Sequence, residues 1–272
     1  MELSLFGVSE SVLIWLFCAA LVAGIVDAIA GGGGLITVPS MMLAGVPPLI
    51  ALGTNRLQAV IGETTALITY WLNKEIKLRG FGFGIVTTAI GAVLGSYSVS
   101  LFSKEILQLL LPVLMVCITF YSILSKRIKN NLATEAKISN RRFMLMCGLA
   151  IGFYNGFFGP GTGSIWMVAF VILLGVTIKQ ATIATKPLNL MGNFVSLLFF
   201  IGLGSVDYTL GLVMGAGQIL GSIVGSKIVI HNGDKVVRPV FITVTLLMTV
   251  KLIVDSGHNM FVSETMALIS KL

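Results

Sequence analysis

Two glycine-rich stretches, Gly31-Gly32-Gly33-Gly34 and Gly159-Pro160-Gly161-Thr162-Gly163, lie in apolar surroundings. Each follows a polar side chain by four residues, Asp27 in one case and Asn155 in the other. A glycine turn feeding a helix start presents backbone N–H groups and the positive end of the helix dipole, a combination that holds anions. Downstream of each stretch comes a cation: Arg56 after Thr54-Asn55, and Lys186 after Thr185. Both are expected near a helix start. Seven residues on from them are Glu63 and Asn193, two helical turns away on the same face, with Asn189 between Lys186 and Asn193.

Two cations facing two glycine turns would form an anion cradle. Its substrate-binding candidates are Gly31, Gly32, Gly33, Gly34, Thr54, Asn55, Arg56, Gly159, Gly161, Thr162, Gly163, Thr185 and Lys186. Asn155, Asn189 and Asn193 would be polar support. The competing interpretation has glycine merely permitting a tight helical hairpin, with Arg56 and Lys186 snorkelling to the interface. Asp27 either carries a proton, coordinates a cation or caps backbone N–H groups; the matching Asn155 could cap but not titrate. Glu63 sits deeper in its run, where an acidic group pairs with a base or relays a proton.

These residues must be positioned by membrane helices. A mean hydropathy of +0.99 with only 11% charged residues excludes a soluble domain of this size. The apolar runs are continuous and long enough for helices, too long for barrel strands. In hydrocarbon only helices or closed barrels satisfy the backbone, so the expected fold is an all-α transmembrane bundle. The net charge of +7 resides mostly in short connections, the ordinary orientation signal, so no nucleic-acid partner is expected. Cys18, Cys117 and Cys147 have no metal-like spacing, and His231 and His258 are isolated. No Walker-type motif, nucleophile triad, cofactor site or metal site is evident, so the chain is expected to be neither an ATPase nor an enzyme. The first apolar run has no basic segment before it and is expected to be a retained helix.

Apolar runs fall at about 9–30, 34–47, 56–72, 81–102 and 106–125, then at about 143–158, 163–178, 187–204, 208–230 and 239–255. The halves repeat. Gly24, Asp27, Gly31 and Gly33 match Gly152, Asn155, Gly159 and Gly161 at one offset; Arg56, Gly62 and Glu63 match Lys186, Gly192 and Asn193; Gly91, Gly95 and Ser96 match Gly217, Gly221 and Ser222; Pro112 matches Pro239. Five runs per half make the halves run oppositely, an inverted-topology repeat. With both termini outside, Lys74, Lys77, Arg79, Lys126, Arg127, Lys129, Lys137, Arg141, Arg142, Lys179, Lys186, Lys227, Lys235 and Arg238 fall on the cytoplasmic side, and Arg56 is the exception, near the outer side. The expected organisation is a first repeat at 1–125, a basic linker at 126–142, a second repeat at 143–255 and a tail at 256–272. The second and seventh runs are short enough to be re-entrant. Trp15, Trp71 and Trp166 read as membrane-contact residues. Gly91-x-x-x-Gly95 and Gly217-x-x-x-Gly221-x-x-x-Gly225 read as close helix packing, within the bundle or in a homo-oligomer.

Asp27 to Gly34 with Pro39, then Gly45-Val46-Pro47 and Gly53-Thr54-Asn55, resemble the sulfite exporter TauE/SafE family of membrane transporters. Gly152, Asn155, Gly159 to Gly163 and Ala184-Thr185-Lys186 fit the same family. The resemblance covers nearly the whole chain, roughly 10–255. It implies a polytopic protein of the bacterial cytoplasmic membrane that moves sulfur-containing anions such as sulfite or organosulfonates. The residues alone leave a second possibility, a cation transporter using Asp27 and Glu63.

Overall fold

The structure, a computed structural model, describes residues 4–5, 8–102 and 135–233, with positions 235–236, 239–240 and 243. The expected run at 106–125, nearly all of that at 239–255, the tail, Cys117 and His258 lie outside the described residues.

The described elements are helical apart from a two-residue antiparallel pairing of β1 (Ser4–Leu5) with β2 (Val8–Ser9). The first half contains α1 (Glu10–Ala30), α2 (Gly34–Leu43), α3 (Pro48–Leu72), a 3-10 turn at Leu78–Gly80 and α4 (Gly82–Ser100). The second contains α5 (Asn140–Phe157), α6 (Thr162–Leu174), α7 (Ile178–Gly202) and α8 (Tyr208–Asn232). Each half therefore reads as helix, glycine turn, short helix, 25-residue helix, helix. Four helices, α1, α4, α7 and α8, are long and apolar enough to cross a bilayer. The protein is a membrane protein of the all-α class.

Local chemistry sets the boundaries. α1 ends at Gly31, whose φ of 69° is left-handed and free of strain only for glycine. Pro48 opens α3 at a position where its missing N–H costs nothing. Thr177 and Gln180 form a capping box at the start of α7, and Asp207 accepts from the Leu210 N–H at the start of α8. These caps correct two expected boundaries. α3 starts at 48 rather than 56, and α7 at 178 rather than 187. Hydropathy broke the runs at Thr54, Asn55, Thr185 and Lys186, polar residues that are buried in protein. Arg56 and Lys186 consequently lie two turns inside their helices, not near the starts.

The packing pattern is preserved when the halves are exchanged. α1 packs along α8 and α5 along α4. Both pairs are parallel. A Cβ on Gly217 would abut Phe17 and Leu21, and one on Gly225 would abut Ile25 and Ala28. Likewise Gly91 faces Leu149 and Phe153, and Gly95 faces Phe153 and Phe157. These glycine rows are thus filled by helices of the same chain, so any homo-oligomer must use another face. α3 and α7 pair in opposite directions: Thr54 near the start of α3 meets Asp207 beyond the end of α7, while Glu75 beyond α3 meets Lys179 at the start of α7.

One consequence is that α2 and α6 do not cross. α2 leads through residues 44–47 into the start of α3, at the same end of the bundle as the start of α1. The Lys137 N–H donates to the Leu173 carbonyl, placing the end of α6 beside the start of α5. The α1–α2 and α5–α6 pairs are re-entrant hairpins entering from opposite ends. Exposed Ile14, Val22, Leu94, Leu198, Leu212 and Val224 face outward, whereas Arg56, Glu63, Asn155, Lys186 and Asn189 are buried. Polar inside and apolar outside is the arrangement a bilayer demands.

Candidate functional site

The hairpin tips touch. A Cβ on Gly31 would collide with the Gly163 backbone, and one on Gly163 would lie 2.6 Å from the Gly31 Cα. A Cβ on Gly34 would lie 3.1 Å from the Pro160 Cα. Here glycine is required by the approach of one backbone to another. The Ser164 N–H donates to the Gly31 carbonyl at 3.1 Å, and Ser164 Oγ donates to the Ala30 carbonyl at 2.8 Å.

A helix ending inside a membrane leaves carbonyls that must find donors. At the end of α1 those donors are identifiable. The Asp27 carbonyl accepts from the Gly31 N–H and, at 2.6 Å, from Lys186 Nζ. The Ala28 carbonyl accepts from the Tyr70 hydroxyl, and that of Ile29 from Thr182 Oγ1. In the other half Arg56 Nη2 donates to the Asn155 carbonyl at the end of α5. Each cation thus caps the negative end of the opposite half's broken helix.

The side chains extend this exchange. Arg56 Nη1 donates to Asn155 Oδ1 at 2.8 Å and Asn193 Oδ1 at 2.9 Å. Lys186 Nζ contacts Asp27 Oδ2 at 3.2 Å and Glu63 Oε2 at 3.5 Å. Asn189 joins the two ends: it accepts from Asn155 Nδ2 at 3.0 Å and donates to Glu63 Oε1. One polar chain therefore runs Arg56, Asn155, Asn189, Glu63, Lys186, Asp27 across the interface of the halves. Both cations are 0% exposed, which overturns snorkelling for them. The Asp27 side chain retains 16% exposure.

The two ends differ in charge. Lys186 lies between two carboxylates. Among the described residues no carboxylate pairs with Arg56; its partners are amides and a carbonyl, its Nε has no hydrogen-bond partner, and the Phe200 ring centroid lies 6.0 Å away. Its guanidinium packs on Gly159, where a Cβ would overlap it. A buried cation without a counter-charge is expensive, and an anion arriving there would relieve that cost.

Several expected contributors sit elsewhere. Thr54 Oγ1 accepts from the Asp207 N–H and faces the α7–α8 connection. The Thr185 hydroxyl donates back to the Ala181 carbonyl of its own helix. Thr162 closes its turn onto the Gly159 carbonyl. Asn55 accepts from Thr37 at 2.7 Å and Gln58 at 3.0 Å, close beside Gly34. Asp27 Oδ1 accepts from the Gly33 N–H, so it does cap its turn while also facing Lys186. Trp15 and Trp71 are exposed as expected, but Trp166 is buried against Phe143 and Phe170, a correction that follows from its place in the re-entrant helix. Sequence reasoning overlooked Thr182, Ser164, Tyr70, Gln58 and Gln218 as parts of this region. Gln58 and Gln218 carried a signal, an amide inside an apolar run; Ser164 and Thr182 carried none, because hydroxyls are common in membrane helices.

Comparison with known proteins identifies the family. The family described as Sulfite exporter TauE/SafE matches residues 16–252. The chain belongs to the TauE/SafE family. Among its relatives, the "Probable membrane transporter protein YfcA" of Escherichia coli K12 is 40% identical over 253 residues, covering 93% of this chain and 94% of the relative. The "Probable membrane transporter protein ORF9" of Sinorhizobium sp is 38% identical, covering 90% and 94%. A "Probable membrane transporter protein" of Haemophilus influenzae is 37% identical, covering 89% and 94%. No solved structure matches. This TauE/SafE member is a membrane transporter by family, and the three relatives carry membrane-transporter names.

Proposed function

We propose that this protein is a secondary transporter that exports a small sulfur-containing anion, sulfite or an organosulfonate, from the cell. The observation that carries this reading is Arg56: a fully buried cation whose partners among the described residues are all neutral, set on the glycine turn of the opposite half. The anion would take its negative charge to Arg56 beside Gly159 to Gly163, its oxygens replacing the Asn155 and Asn193 side-chain oxygens that accept from the guanidinium. The family description supplies the substrate class.

In this reading the halves form an inverted repeat spanning the cell membrane several times, with both termini outside and the basic segments in the cytoplasm. The antiparallel pairing of α3 with α7 and the opposed hairpins support it, as does the gathering of Glu75, Lys179 and the end of α8 at one end of the bundle. Access would alternate as the hairpins rock about the Gly31–Gly163 contact. Lys186, Asp27 and Glu63 would couple the cycle to protons, with Asp27 as the partly exposed entry.

The test is efflux from loaded proteoliposomes. Sulfite or a short alkylsulfonate is expected to leave faster than chloride, with Arg56→Gln abolishing the difference. Equal efflux of all three anions, or normal efflux through Arg56→Gln, removes the proposal. A second reading, cation transport, is favoured by one feature: among the described residues Glu63 Oε2 lacks a hydrogen-bond donor, and Asp27 contacts the same ammonium. Cation-dependent thermal stabilisation lost in Glu63→Gln would decide for it.

A further inference from the structure

Two cavities lie one above the other along the seam between α4 and α7, away from the polar chain. The upper one, about 480 Å³, is lined by Lys77, Lys179, Gln180, Glu75, Phe81 and Ile183. The lower one, about 370 Å³, is lined by apolar groups, among them Leu67, Ile85, Pro187, Leu190 and Phe194, with Thr64 the polar exception. Their walls are in register. Phe81 and Ile183 belong to the upper cavity, and Ile85 and Pro187, each four residues later and so one helical turn deeper, belong to the lower. The seam is polar and basic at the end of the bundle and apolar one turn further in.

In a bilayer such a crevice is filled by the solvent, and the solvent is lipid. An apolar slot one helical turn below a pair of lysines matches the tail and headgroup of an anionic lipid. We infer that this seam is a binding site for one anionic phospholipid, with an acyl chain in the lower cavity and the phosphate between Lys77 and Lys179. Juxtamembrane lysines attract anionic headgroups in this way. Lys77 is exposed; Lys179 is part-buried and held at 2.9 Å by Glu75, while also donating to the Ile230 carbonyl at 3.3 Å. Glu75 therefore competes with the headgroup for Lys179. The tail would rest against the helices that carry the site, since Thr64 follows Glu63 and Pro187 follows Lys186. The assignment does not depend on which solute is transported.

The experiment is native mass spectrometry of the full chain in nonionic detergent, titrated with phosphatidylglycerol or phosphatidylcholine. Phosphatidylglycerol is expected to bind more tightly. The Lys77→Gln/Lys179→Gln pair should lose roughly 25-fold of that affinity, reducing it to the phosphatidylcholine level. Glu75→Gln should strengthen phosphatidylglycerol binding. Met191→Trp, whose side chain lines the lower cavity, should weaken both lipids; Val60→Phe serves the same purpose if that variant does not fold. Equal affinity for the two lipids, or an unchanged lysine pair, overturns the site. Inorganic phosphate producing the same thermal stabilisation as phosphatidylglycerol would make the upper cavity a free-anion site and overturn the lipid assignment.

Discussion

The two ends of the buried polar chain are built from matched positions and differ in charge. Arg56 and Lys186 occupy equivalent places in α3 and α7, and each caps the opposite half's broken helix. Around Lys186 the remaining partners are Asp27 and Glu63; around Arg56 they are Asn155 and Asn193. Replacing two carboxylates by two amides leaves the geometry alone and changes the electrostatics. One end is internally paired. The other retains its positive charge, and that is the end where an anion has something to gain. Matched positions give the two ends the same geometry, and two residue differences, Asp27 against Asn155 and Glu63 against Asn193, set them apart electrostatically.

The comparison can be broken at its paired end first. Lys186→Met leaves two carboxylates facing each other without a cation, and should destabilise the protein by about 3–5 kcal/mol. Arg56→Met strands no charge but leaves the Asn155 carbonyl and the Asn155 and Asn193 amide oxygens without their donor, so it should cost about 1–3 kcal/mol, less than Lys186→Met, while removing transport. Thermal melts of the two variants side by side check the contrast; equal losses would mean the ends are not electrostatically different. Gly31→Ala tests the contact that holds both ends in register. A left-handed backbone and a blocked approach to Gly163 together should cost about 3 kcal/mol, read by the same melts.

Asn193→Asp sharpens the comparison by giving Arg56 the partner that Glu63 gives Lys186. An internal carboxylate would then occupy the place proposed for substrate. Efflux is expected to fall about 100-fold with the melting temperature held or raised. Undiminished efflux through the Asn193→Asp variant would place the anion elsewhere. Ser164→Ala is the mildest test. It removes one hydroxyl from the Ala30 carbonyl, should cost about 1–2 kcal/mol and should leave the difference between the ends intact.

Much of the fold was legible in the chain. Continuous apolar runs with little charge dictated membrane helices, and the four-residue spacing of Asp27 and Asn155 from their glycines marked both turns. The glycine rows at Gly91 and Gly217 announced close packing but not their partners. The starts of α3 and α7 were misplaced because hydropathy treats Thr54, Asn55 and Arg56 as exterior. They are interior residues, and a one-dimensional scale cannot tell a polar residue facing water from one facing protein. Asn189 is the instructive case: its number placed it on the face of Lys186, yet its use as the link between Asn155 and Glu63 joins residues 34 and 126 positions apart.

The sequence by itself determined the class and the matched pattern of glycines and polar residues in its two halves, because composition, spacing and residue types are properties of the chain read along its length. Only the tertiary structure decided that the hairpin tips meet, that each cation serves the opposite half, and that Lys186 is neutralised while Arg56 is not. Those outcomes depend on which donors reach which carbonyls across an interface. In a medium without water every such group must be satisfied by another part of the protein.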